Sequence, residues 1–171
     1  RNPGDIALLY RMNSLTRTTE QALQRERIPY EITGGTKFFD RREVKDILAY
    51  LRVIDNTADS VSLERIINTP KRGIGAAAIE KLYEIGDKNL WNGVNLEATE
   101  KPNSKTASFL KQLTKFIEAA SELKVHELCK YIIDEIDYFK YLQKDDPETS
   151  EDRKNNVESL VDRKSTRLNS S

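Results

Sequence analysis

"FFDRREVKDILAYLRVI", residues 38–54, decides how the chain divides. Phe39, Val44, Ile47, Leu48, Leu51 and Ile54 recur at helical spacing, which makes this segment the strongest helix in the sequence. The patterns before it are mixed. "DIALLY" (Asp5–Tyr10) is a short continuous apolar run, as in a strand buried on both faces of a parallel sheet. "NSLTRTTEQALQRER" sets Leu15, Thr19, Ala22 and Leu23 near one helical face, with Ser14 as N-cap. "PYEIT" then alternates Tyr30 and Ile32 as a second strand, ended by Gly34 and Gly35. Strand, helix and strand within about 30 residues make a βαβ unit with a right-handed crossover.

After residue 54 the pattern is helical. One helix runs from about Ser60 to Ile67 and is stopped by Pro70. Another runs from about Ala76 to Ile85, with Gly86 as its stop. Residues 92–104 read as a polar loop. "TASFLKQLTKFIEAASEL" and "VHELCKYIIDEI" each carry an apolar stripe, and the two are expected to pack as an antiparallel pair. "QKDDPETSEDRKNN" is densely charged and expected to be exposed, and "VESLV" opens a further helix. The closing "DRKSTRLNSS" breaks the periodicity and resembles a translated adapter sequence. The expected fold class is therefore α/β plus all-α. Residues 1–54 form a partial βαβ piece, 55–161 an incomplete helical unit, and 162–171 a non-native tail. A lone βαβ unit cannot cover its own strands, and the chain starts at Arg1, so a piece of a longer protein is expected.

The 171 residues carry 28 basic and 28 acidic side chains. Any polyanion contact must then come from local placement of cations. Residues 1–81 hold 14 basic and 11 acidic groups, a small excess that favours anions in the first half. The one cysteine, Cys129, excludes an internal disulfide and lies on an apolar stripe, where inert packing is expected. No apolar run approaches the ~20 residues of a membrane span.

Catalytic groups are sparse. No glycine is followed by Lys and then Ser or Thr, so the phosphate-cradling loop of nucleotide hydrolases is missing. The only histidine, His126, falls at a helix start, and with one His and one Cys neither a zinc site nor a Cys–His pair can form. Asp145 and Asp146 fall in a solvated charge run. Alone, the chain is expected to catalyse nothing.

"NTPKRGIGAAAIEKL" (68–82) leaves two readings open. Gly73 and Gly75 admit backbone conformations closed to other residues, Ile74 can anchor the turn inward, and the helix behind presents free N–H groups. With Lys71 and Arg72 in front, this suits a nucleic-acid phosphate. It equally describes an ordinary glycine turn with two solvated cations. Arg11 and Asn13 follow the first expected strand, on the edge where open parallel sheets bind ligands. Lys45, Arg41 and Arg42 line the helix after the second, where they bind an anion or simply solvate that helix. Phe38 and Phe39 either stack on bases or pack in the core.

In order and spacing, "DIALLYRMNSLTRTTEQAL", "IPYEITGGTKFFDRREVKDILAYLRVI" and "NTPKRGIGAAAIEKL" resemble the UvrD/PcrA/Rep group of superfamily 1 DNA helicases. The likeness is dense over residues 3–85 and thinner to about 161. It implies two RecA-like motor subdomains, each with an inserted accessory subdomain, and ATP- and Mg²⁺-dependent 3′→5′ movement on single-stranded DNA. Residues 1–54 would be part of the second motor subdomain, and 55–161 the start of its helical insertion. The resemblance puts Arg11, Asn13 and Lys45 at single-stranded DNA. It puts Gly73, Ile74 and Gly75, with Lys71 and Arg72 beside them, on duplex backbone at a fork. It implies a cytoplasmic, nucleoid-associated protein with no membrane partner, whose remaining motor parts lie in the same chain and hold the nucleotide. Members often carry Thr three residues after the second glycine. Here Ala78 stands there, so a hydroxyl contact to phosphate is lost. A helical module that grips DNA or docks a protein without a motor is the competing reading.

Overall fold

A computed structural model of the chain describes residues 6–8, 14–30 and 38–167. Among them run nine α-helices: α1 (Ser14–Arg25), α2 (Arg42–Asp55), α3 (Ser60–Ile67), α4 (Ala76–Ile85), α5 (Leu90–Glu100), α6 (Lys105–Ala119), α7 (Val125–Glu135), α8 (Tyr138–Asp145) and α9 (Ser150–Arg167). A 3₁₀ turn, Phe38–Asp40, leads into α2.

The described residues contain no strand, which corrects the βαβ expectation. Ile6 and Leu8, expected to be buried on both faces, are 63% and 59% exposed. A strand needs a paired neighbour and a covered face, and two short segments supply neither for each other. The rest of the two expected strands lies outside the described residues, as do Arg11 and Asn13 after the first.

α2 is the hub. It packs against α3, α6, α7 and α9. α4 and α6 both rest on α5, while α7, α8 and α9 pack on one another. α2, which ends at Asp55, thus packs against helices that follow it. At the entry to α2, Phe38 enters the core at 5% exposure, and Phe39, expected on the apolar face, stays 53% exposed with its ring edge-on to Phe38. α6 and α7 meet through Phe116 and Tyr131, whose rings lie 5.7 Å apart, but α6 packs mainly on α5 and α7 mainly on α9. Cys129 is buried in the core.

Two further expectations are corrected. Residues 92–104 are not a loop, because α5 runs through Glu100, capped by the Asn89 side chain on the Asn92 N–H. Nor is "DRKNN" wholly solvated. Asn156 is buried, accepting from Arg41 and donating to Glu43 at 2.7 Å. Arg153 reaches Glu43 at 3.6 Å and Asp145 at 3.0 Å. Asp146 accepts from the Thr149 hydroxyl at 2.7 Å just before α9 begins. The periodicity of α9 is polar because its inward groups bind charges on α2 and α8, and the helix continues through Arg167.

Glu43 and Asp46 are the buried acids of α2. Asp46 accepts from Arg65 at 2.8 Å and from the Tyr138 hydroxyl at 2.7 Å, tying α2 to α3 and α8. Burial, then the neighbouring Asp46 charge, push the Tyr138 phenol far above its ordinary range, so it stays a neutral donor. Asp46→Asn keeps the shape but turns an NH₂ toward one of the two donors. It is expected to cost about 1–3 kcal/mol, read as a lower urea midpoint at unchanged slope. An unmoved midpoint would show that Arg65 and Tyr138 find equal partners without the carboxylate.

Candidate nucleic-acid interface

The turn between α3 and α4 is built from the inside. The Asn68 side-chain oxygen accepts from the Arg72 N–H at 2.7 Å and from the Ile74 N–H at 3.3 Å, closing the loop on itself. Ile74 is buried. The Arg72 guanidinium turns inward. It donates to the carbonyls of Ile66 (3.0 Å) and Pro70 (3.1 Å), to the Tyr50 hydroxyl (2.7 Å) and to Gln112 Oε1 (3.0 Å), and it stands 5.1 Å from the Phe109 ring centre. Tyr50 in turn donates to the Thr69 carbonyl at 2.6 Å. Burial raises the Tyr50 phenol pKa and the Arg72 charge pulls it part of the way back, so the hydroxyl keeps its proton.

What remains outside is Lys71, Gly73, Gly75 and Ala76–Ala78, all exposed. Only Gly73 uses the left-handed backbone, at φ +74, where a side chain would be strained. Gly75 is extended (φ −85, ψ 179) and serves as the N-cap of α4 without a side-chain cap. The first N–H groups of α4 are thereby left to solvent or to an anion.

Sequence reasoning missed one cation here. Lys105, the first residue of α6, lays its side chain over Gly73, with Cε 3.3 Å from where a Cβ at that glycine would sit. It is 32 residues from Gly73 in the chain, so no local motif marks it. Neither Lys71 nor Lys105 forms an ion pair among the described residues. The turn thus brings together Lys71, Gly73, Ile74 and Gly75, adds Lys105, and holds Arg72 behind them as a clamp.

Lys45 is elsewhere. It is exposed on α2 and pairs with Asp40 at 3.0 Å. Tyr50, which faces the turn, is five positions on, about 140° round the helix. Arg42 reaches Asp145 at 3.3 Å and the Tyr141 hydroxyl at 3.0 Å.

The chain has no Gly-Lys-Ser/Thr sequence, and among the described residues no group of His, Cys, Asp and Glu could hold a metal ion. No described helix is long and apolar enough to cross a membrane.

Comparison with known proteins agrees with a helicase origin. Residues 1–165 match the family model of the UvrD-like helicase C-terminal domain. The ATP-dependent DNA helicase PcrA of Bacillus subtilis (strain 168) is 34% identical over 168 residues, covering 94% of this chain and 23% of that protein. The PcrA of Staphylococcus aureus (strain Mu50) is 32% identical over 164 residues, 92% of this chain and 22% of that protein. That of Staphylococcus epidermidis is 33% identical over 165 residues, 92% and 23%. The chain spans less than a quarter of the length of these relatives. With residues 1–165 matched by its model, the chain belongs to the UvrD-like helicase C-terminal domain family.

Proposed function

We propose that the chain is the DNA-gripping part of an ATP-dependent helicase that moves 3′→5′ on single-stranded DNA and unwinds duplex ahead of it. The observation that carries this reading is the α3–α4 turn. It spends its arginine and isoleucine on its own rigidity and leaves two lysines, a left-handed glycine and an uncapped helix start facing outward. That arrangement suits backbone phosphate and reads no base. Residues 1–54 belong with the motor, where Arg11 and Asn13, with Lys45 on α2, meet the single strand. ATP and Mg²⁺ are used by motor parts outside this chain, which hydrolyses no ATP alone.

Lys71→Ala and Lys105→Ala test the reading. Each neutralises about one phosphate, so each should lower the slope of log affinity against log salt by about 0.9, and the pair by about 1.8. The losses should be equal on AT-rich and GC-rich duplexes. Titrating a blunt duplex at several salt concentrations reads both. Unchanged slopes for the folded double variant would return the turn to a purely structural role.

A further inference from the structure

We propose that the groove between this turn and α8 is a second phosphate track, which carries the duplex backbone onward from the turn. The inference rests on the reading of the turn as a duplex contact. The groove is lined by Pro70 and Lys71 on one wall and by Lys140, Tyr141, Lys144 and Asp145 on the other. Lys71 thus belongs to both surfaces and makes them continuous.

The groove is positive although the chain is neutral overall. Lys140 and Lys144 are exposed, one helical turn apart, and form no ion pair among the described residues. The opposing charge of Asp145 is spent internally, on Arg42 at 3.3 Å and Arg153 at 3.0 Å. Asp137 also faces the groove, one carboxylate against three lysines. Four residues of helix advance about 6 Å. The two α8 lysines are therefore spaced to meet neighbouring phosphates along one strand.

An acidic peptide is the other polyanion that three lysines attract. Tight peptide docking needs an apolar anchor pocket, and here Ile136 is buried while the Tyr141 hydroxyl accepts from Arg42. Lysines on flexible stems around an open groove fit a repeating point charge better.

The test uses the 171-residue chain, a blunt 20-base-pair duplex and a poly-glutamate peptide, titrated at several salt concentrations. Circular dichroism and melting confirm that each variant folds, and alanine is a strong helix former at these exposed positions. Lys140→Ala/Lys144→Ala should lower the duplex salt slope by about two, additively with Lys71→Ala and alike on AT-rich and GC-rich sequences. An unchanged slope for the α8 pair, with a reduced one for Lys71→Ala, would overturn the track and leave the turn standing. A reduced slope for the α8 pair with an unchanged one for Lys71→Ala would detach the groove from the turn and overturn the proposal of one continuous track. Absence of duplex binding by the unaltered chain would overturn both. Lysine-dependent binding of poly-glutamate tighter than of the duplex would make the groove a protein-docking site and overturn the proposal.

Discussion

Gly93→Ala is expected to destabilise the helical body by about 3 kcal/mol or more. A Cβ at residue 93 would run into the Leu82 carbonyl, with the carbonyl carbon at 2.6 Å and the Leu82 Cα at 3.1 Å. The obstacle is the backbone of α4, so no side chain can rotate away. Gly86 approaches Gly93 from the other side, where a Cβ would lie 2.8 Å from the Gly93 Cα. The two glycines set how closely α4 and α5 can cross. Forcing them apart would lift Leu82 and Leu90, both buried, out of contact. In a body of this size the loss corresponds to a melting temperature lower by roughly 6–12 °C. Gly75→Ala is the matched control, since a Cβ there meets nothing within 4 Å. It should stay within about 1 kcal/mol. If Gly93→Ala melts with the parent chain, the close crossing is not what holds α4 on α5.

That crossing also explains why α5 was illegible. Sequence periodicity finds helices through their apolar stripes, and it placed α3, α4, α6 and α7 close to their observed ends. α5 packs instead through the absence of a side chain at Gly93, with Leu90 and Val94 as its buried apolar anchors. The first turns of α9, before "VESLV", were hidden for a different reason. Their inward residues include Arg153 and Asn156, whose partners Glu43 and Asp145 are remote in sequence. The strands were over-read, because an apolar run states a wish to be buried and not that the chain holds the partner that buries it. At the turn, the glycines, Ile74 and the helix start were all legible. Which of two adjacent cations faces outward was not, since charge alone does not orient a side chain. Lys105 required the tertiary fold.

Arg72→Ala is expected to cost about 3 kcal/mol and to lower melting by roughly 6–12 °C, a far larger effect than Lys71→Ala next to it. The guanidinium satisfies two loop carbonyls, Ile66 and Pro70, and joins Tyr50 of α2 to Gln112 of α6. Removing it leaves those acceptors without their charged donor and opens the space beside Phe109. Tyr50→Phe should cost less, and the double variant should show a coupling of roughly 0.5–3 kcal/mol, because the two groups share a bond. Arg72→Lys decides what the residue is for. A lysine keeps the charge but cannot fork to four acceptors. If Arg72 holds the turn, Arg72→Lys should still lose most of the stability, and its duplex affinity should fall because Lys71 and Gly73 are no longer held in place. If Arg72 instead meets phosphate directly, the lysine variant should melt with the parent and keep its salt slope. The inward guanidinium predicts the first outcome: Arg72 spends its charge on holding the turn, and Lys71 and Lys105 are the cations left exposed on it.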